Sequence, residues 1–190
     1  MGATTMSFYA TKAQDANYST TYLASRPDLV GMVKTSSGPV SVTGALVSHE
    51  VNGASSTAQG IAAIGSASFD GGMAKLTIYG AYASGALMYL KADNVTVTSG
   101  LVDSGSDASN LSSGSSVQAQ LDVPVGKGTF SVFGEQISAK QDTSSWSRNE
   151  YAVFYKHPVA SGLWVRPELA QRTTSGVIAN VAYLRIQRDF

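Results

Sequence analysis

Charged side chains alternate with apolar ones in the last part of the chain, and they are the residues best placed to act on a solute. Three stretches with this period-two pattern, 148–157, 162–173 and 177–190, are typical of β-strands. If they are neighbours in a sheet, one wall carries basic Lys156, Arg166, Arg172 and Arg185, acidic Glu150, Glu168 and Asp189, and Asp122 and Glu135 from the two preceding strands. Antiparallel pairing across 157–162 would also bring Lys156 beside Trp164. Rows of opposed charge across a water-filled path set up a field that orients and filters solutes. The alternative interpretation is that these charges pair with one another and only solvate a polar interior.

Other chemistry has little support in the sequence. The chain has no cysteine, and neither histidine, His49 or His157, has a carboxylate at a spacing typical of a metal site or a catalytic triad. No nucleophile elbow, phosphate loop or dinucleotide-binding glycine pattern is present. We therefore expect no enzyme activity, no cofactor and no metal.

The composition limits the class of protein. The chain has 190 residues, of which 43% are hydrophobic and 14% charged, whereas soluble domains carry about 25% charged residues. Thirteen basic residues balance thirteen acidic ones, so no nucleic-acid partner is expected. No window approaches the roughly 18 consecutive apolar residues of a membrane-spanning helix. The first residues lack the charged and apolar regions of a signal peptide, so we expect any export signal to have been lost or removed.

Period-two alternation extends through most of the chain. Besides the three stretches above, seven more candidate strands lie at 4–11, 28–34, 40–48, 60–69, 74–83, 117–123 and 128–139. Short and long connections between them mostly alternate, and the tight link at 173–176 is the exception. Further links are expected at 140–148 and 157–162, and 84–113 is expected to be a long mobile loop. Alternating connections and strands of about 9–11 residues are typical of an antiparallel up-and-down transmembrane β-barrel. The sequence therefore predicts an all-β barrel of about ten strands.

A soluble β-sandwich is the alternative, since it also shows period-two patterning. Arg166 and Arg185 lie in the middle of their strands, opposite an apolar side, where a charge facing lipid would cost about 2–4 kcal/mol. They must therefore face water or a partner. The last strand runs to an aromatic final residue, Phe190, which also favours the barrel.

Several segments resemble the general porins of alphaproteobacterial outer membranes. The ending at 183–190, YLRIQRDF, is similar to the Arg-x-Gln-Arg-Asp/Asn-Phe run that closes many of those proteins. The segments 26–31, RPDLVG, 38–45, GPVSVTGA, and 79–86, YGAYASGA, resemble interior strands of the same family. The matches span nearly the whole chain and would align with the C-terminal part of a longer porin.

The resemblance implies a 16-stranded, usually trimeric channel that passes small hydrophilic solutes and ions across the outer membrane. It also implies contact with lipid and lipopolysaccharide, and a role for Phe190 as the signal that barrel-assembly machinery reads. The chain departs from the family by holding about ten strands, so the first part of a family member, with the loop that folds inward, is expected to be missing. Residues 1–190 are thus either a complete small barrel or the C-terminal part of a larger one. A non-channel barrel, structural or adhesive, and a porin fragment without channel activity remain the alternatives.

Overall fold

The computed structural model describes residues 2–11, 26–52, 56–90, 108, 110–141 and 144–189. Most of them lie in ten β-strands, and four form a short 3-10 helix, η1 (Leu87–Leu90). The strands are β1 (Ala3–Thr11), β2 (Asp28–Ser37), β3 (Val40–Asn52), β4 (Thr57–Asp70), β5 (Lys75–Ser84), β6 (Ser113–Val125), β7 (Gly128–Gln141), β8 (Ser144–Ala160), β9 (Leu163–Thr174) and β10 (Val177–Arg188). All ten predicted strands are therefore confirmed.

The strands form one antiparallel sheet in which each strand pairs with its neighbours in sequence. The up-and-down order predicted from the sequence is confirmed. In the part of the chain that the structure describes, β1 and β10 are the two edges of the sheet and do not pair with each other.

The connections differ from the prediction in the C-terminal half. Longer links were expected at 140–148 and 157–162, but β7, β8 and β9 continue until only 142–143 and 161–162 separate them. Residues 144–148 are serine-rich, which resembles a loop, yet Trp146 pairs with Ala139 of β7. Pairing with a neighbouring strand thus overrides a weak local preference. The tight link at 173–176 is present: Ser175 and Gly176 both have positive φ, as a two-residue hairpin turn requires.

The register separates the side chains into two faces that differ in character. On what we call the apolar face, large hydrophobic side chains stand exposed on nearly every strand, for example Phe8 (83% exposed), Leu46 (69%) and Leu184 (68%). Its only charged strand residues among those described, Glu50, Lys140 and Arg188, lie within two residues of a strand end. All other charged strand residues lie on the opposite surface, the polar face.

A small apolar cluster covers one end of the polar face. Leu87 and Leu90 of η1 are buried there against small or branched side chains of β2 to β7, namely Val30, Val47, Ala62, Ala81, Ala83, Ile137 and Ala139. Tyr79 Oη donates to the carbonyl oxygen of Tyr89 at 3.2 Å, and Ser116 Oγ donates to that of Leu90. We call residues 85–90 the inward segment.

The inward segment lies at the start of the loop predicted at 84–113. Its residues are packed on the polar face because that end of the face carries alanine, valine and isoleucine, which need an apolar cover. Residues 91–107 and 109 lie outside the described residues, as does Phe190.

Candidate functional site

The charged part of the polar face borders a cavity of about 1060 Å³. Eight of the nine residues that the sequence placed on this wall line it: Asp122, Glu135, Glu150, Lys156, Arg166, Glu168, Arg172 and Arg185. They come from five successive strands, β6 to β10, and the antiparallel register places them on the same face. The structure thus brings the predicted residues together, while their role in lining a pore stays a prediction.

Half of this wall is a buried network of paired charges. Glu135 of β7 lies directly opposite Glu150 of β8. Arg148 Nη2 bridges the two carboxylates, at 3.0 Å from Glu135 and 2.6 Å from Glu150. Arg172 donates to Glu150 from Nε at 3.0 Å and from Nη2 at 3.2 Å. Because charge-assisted hydrogen bonds satisfy both carboxylates, this half of the wall is rigid and close to neutral.

Sequence reasoning missed Arg148, which is central to this network. The residue stood at the boundary between the expected link 140–148 and the expected strand 148–157, so its place on the polar face was not recognised. The sequence does contain a signal for it: Arg148 lies two positions before Glu150 in the same strand, and side chains two positions apart point to the same face.

The other half of the wall holds cations against aromatic rings. Lys156 Nζ lies 4.4 Å from the ring centroid of Trp164, and the guanidinium carbon of Arg166 lies 4.6 Å from that of Phe154. The sequence prediction that Lys156 lies beside Trp164 is confirmed. Arg166 Nη2 also lies 2.8 Å from Glu168 Oε2, so pairing within the wall occurs here as well. Arg185 is the direct cross-strand neighbour of Arg166.

Asp189 lies just beyond the end of β10, near Lys156, and is not among the residues that line the cavity. Gln187 Nε2 donates to one of its carboxylate oxygens at 2.8 Å, and Trp164 Nε1 donates to the other at 3.2 Å. These two hydrogen bonds, that of Gln187 first, lower the pKa of Asp189 from its ordinary value. The carboxylate of Asp189 therefore stays ionised at neutral pH.

A second polar cluster, absent from the sequence prediction, anchors the inward segment. Asp28 of β2 and His49 of β3 are fully buried, with His49 Nδ1 2.8 Å from Asp28 Oδ1. Tyr89 Oη donates to the other oxygen of Asp28. The residues are 21 and 61 positions apart in the chain, so no local motif marks the cluster. Because the pair is covered, it is placed to hold the segment rather than to contact a solute.

No group of three or more histidine, cysteine, aspartate or glutamate residues in the described chain is arranged to hold a metal ion. No described helix is long and apolar enough to cross a membrane. No protein-family model, curated protein or solved structure matches this chain.

Proposed function

We propose that this chain forms all or part of a transmembrane β-barrel in a bacterial outer membrane and acts as a porin, a passive diffusion channel for small hydrophilic solutes and ions. The observation that carries the proposal is the separation of the two faces of one ten-stranded sheet. One face is apolar and uncharged except near strand ends, and the other holds the remaining strand charges.

The apolar face supports a lipid environment. Soluble monomers rarely expose contiguous apolar patches larger than a few hundred Å², whereas here exposed Phe8, Leu46, Leu121, Leu169 and Leu184 come from strands across the whole sheet. A soluble sandwich would cover such a face with a second sheet. All ten described strands lie in a single sheet, so the part of the chain that the structure describes supplies no second layer.

A sheet in lipid must also close, because unpaired backbone N–H and C=O groups cost several kcal/mol each in hydrocarbon. With ten strands in sequential antiparallel order, β10 runs antiparallel to β1, so pairing of the two edges gives a small closed barrel. In the other arrangement, which the porin resemblance favours, further strands of a longer protein fill the gap between β10 and β1. That larger barrel would assemble as a trimer surrounded by lipid and lipopolysaccharide.

The charged cavity supports passage of hydrophilic solutes. It presents five cations and four carboxylates on one wall, so a polar solute meets side chains that replace part of its hydration. An inner surface of this kind is typical of water-filled barrels.

The competing function is a barrel without a channel, and the inward segment favours it. Leu87 and Leu90 occupy one end of the polar face together with apolar strand residues. A ten-stranded barrel has little lumen once side chains fill it. In that case the surface loops, rather than a pore, would carry the function.

Reconstitution separates these possibilities. The chain is refolded in detergent and its migration on a gel is compared with and without heating; a closed barrel migrates differently before heating. The refolded protein is then added to a planar bilayer. Discrete conductance steps and swelling of solute-loaded liposomes are expected of a porin. A heat-modifiable protein that gives neither contradicts the channel and supports the alternative, and a protein that stays in the aqueous phase contradicts both.

A further inference from the structure

We propose that the polar face contains a binding site for a small oxyanion, such as phosphate or a solute carboxylate, between Arg185 of β10 and Arg166 of β9. The inference deepens the proposed function because it names a class of solute for the channel. Its use in transport rests on that function, but binding itself requires only the folded chain.

Two opposed strands carry an imbalance of charge. Arg166 and Arg185 are direct partners in the antiparallel register and lie on the same face. Side chains directly opposite each other have Cβ atoms about 4.5–5.5 Å apart, and like charges in such a pair are destabilising. Glu168 engages only Arg166, and among the described residues no carboxylate lies within 4.0 Å of Arg185. Two positive charges therefore share one negative charge.

One of the two arginines is already held in place. The Arg166 guanidinium lies between the Phe154 ring, at 4.6 Å, and Glu168 Oε2, at 2.8 Å from Nη2. Its Nε is buried and makes no hydrogen bond within the described residues. Preorganised donors lose little conformational entropy when a ligand binds.

The other two arginines of the wall are already paired with carboxylates. Arg148 and Arg172 are committed to Glu135 and Glu150 in the buried network. Arg185, in contrast, is exposed to the cavity that it lines with Arg166. The cavity wall therefore offers an incoming anion one exposed guanidinium with a second guanidinium opposite it.

The guanidinium group determines the class of ligand. Its planar fork of N–H donors matches two oxygens of a phosphate or carboxylate, and such bidentate hydrogen bonds are stronger than contact with a spherical ion. A diffuse positive field would attract chloride as well as phosphate. The geometry thus predicts preference for an oxyanion over chloride.

The test measures binding without requiring conductance. The chain refolded in detergent micelles is titrated calorimetrically with inorganic phosphate at about 0.01 M ionic strength, where the Debye length is about 30 Å, and separately with chloride. Arg185→Gln is compared with Lys34→Gln, which removes a positive charge from an exposed position on the same face of β2. We expect Arg185→Gln to weaken phosphate binding by at least about tenfold, because it removes a charge-assisted bidentate contact. We expect Lys34→Gln to leave the affinity nearly unchanged.

Several results would overturn the site: no phosphate binding by the wild-type chain, equal losses in the two variants, or chloride binding as tight as phosphate. Heat-modifiable migration confirms that each variant is folded. If Arg185→Gln does not fold, Arg185→Lys is measured instead, because lysine keeps the positive charge but lacks the planar pair of guanidinium donors. A phosphate affinity equal to that of the wild type would then contradict the proposal. Phosphate binding without conductance supports the site and contradicts the channel, whereas conductance without phosphate binding does the reverse.

Discussion

Replacing Arg148 with glutamine tests whether the paired charges of the wall stabilise the sheet. Arg148 is 6% exposed and bridges Glu135 and Glu150, which are 7% and 10% exposed, across β7 and β8. The substitution removes the guanidinium that separates two directly opposed carboxylates, in surroundings where water screens their repulsion poorly.

The expected loss of unfolding free energy depends on the burial of the ion pair and on the hydrogen bonds that remain after the substitution. Removing one partner of a buried ion pair costs about 3–5 kcal/mol of unfolding free energy. Arg172 still donates twice to Glu150, so we expect a loss near the lower end of that range. Adding Glu135→Gln to Arg148→Gln should recover about 1 kcal/mol or more, because it removes one of the opposed charges.

The assay is urea unfolding of the refolded chain in detergent micelles, with the midpoint and slope compared between variants. Arg185→Gln is the matched control, since it changes the same residue type at an exposed position of the same face and should stay within about 0.5 kcal/mol of the wild type. A loss below about 1 kcal/mol for Arg148→Gln, or no recovery in the double variant, would refute the reasoning.

Three further predictions concern assembly, selectivity and the lipid face. Deleting Phe190 should reduce outer-membrane insertion in cells far more than stability in detergent; unchanged insertion would show that it is not an assembly signal. Replacing both Arg166 and Arg185 with glutamine should shift the reversal potential in a salt gradient toward cation selectivity, most clearly at low ionic strength where screening is weak; a conducting variant with unchanged selectivity contradicts a role for these arginines in the narrow zone. Leu46→Arg, on the apolar face in the middle of β3, should destabilise the protein in lipid vesicles by about 2–4 kcal/mol, and Thr43→Arg, on the polar face of the same strand, by much less. Equal effects of the two arginine substitutions would mean that the apolar face does not contact lipid.

The strands could be predicted because the pattern that marks them, the alternation of apolar and polar side chains, lies within each strand. Alternation of side chains reports directly on the two faces of a pleated strand, so the order and the approximate limits of all ten elements follow from the chain itself. The same periodicity placed Lys156, Arg166 and Arg185 on one face, and knowing which strands are consecutive was enough to predict that Lys156 lies beside Trp164.

The other features depend on contacts between residues far apart in the chain. The inward segment packs on strands from β2 to β7, and its anchor joins Tyr89 to Asp28 across 61 positions, so neither has a period or motif in the sequence. Arg148 lies inside the wall, not at its edge, because β8 begins at Ser144, before the expected start at residue 148, and pairs there with β7. The sequence by itself therefore determined the ten strands, their order and the character of each face, since side-chain alternation is a property of a single strand. Only the tertiary structure decided which charges neutralise one another and which part of the polar face is covered, because those outcomes depend on register and packing between strands.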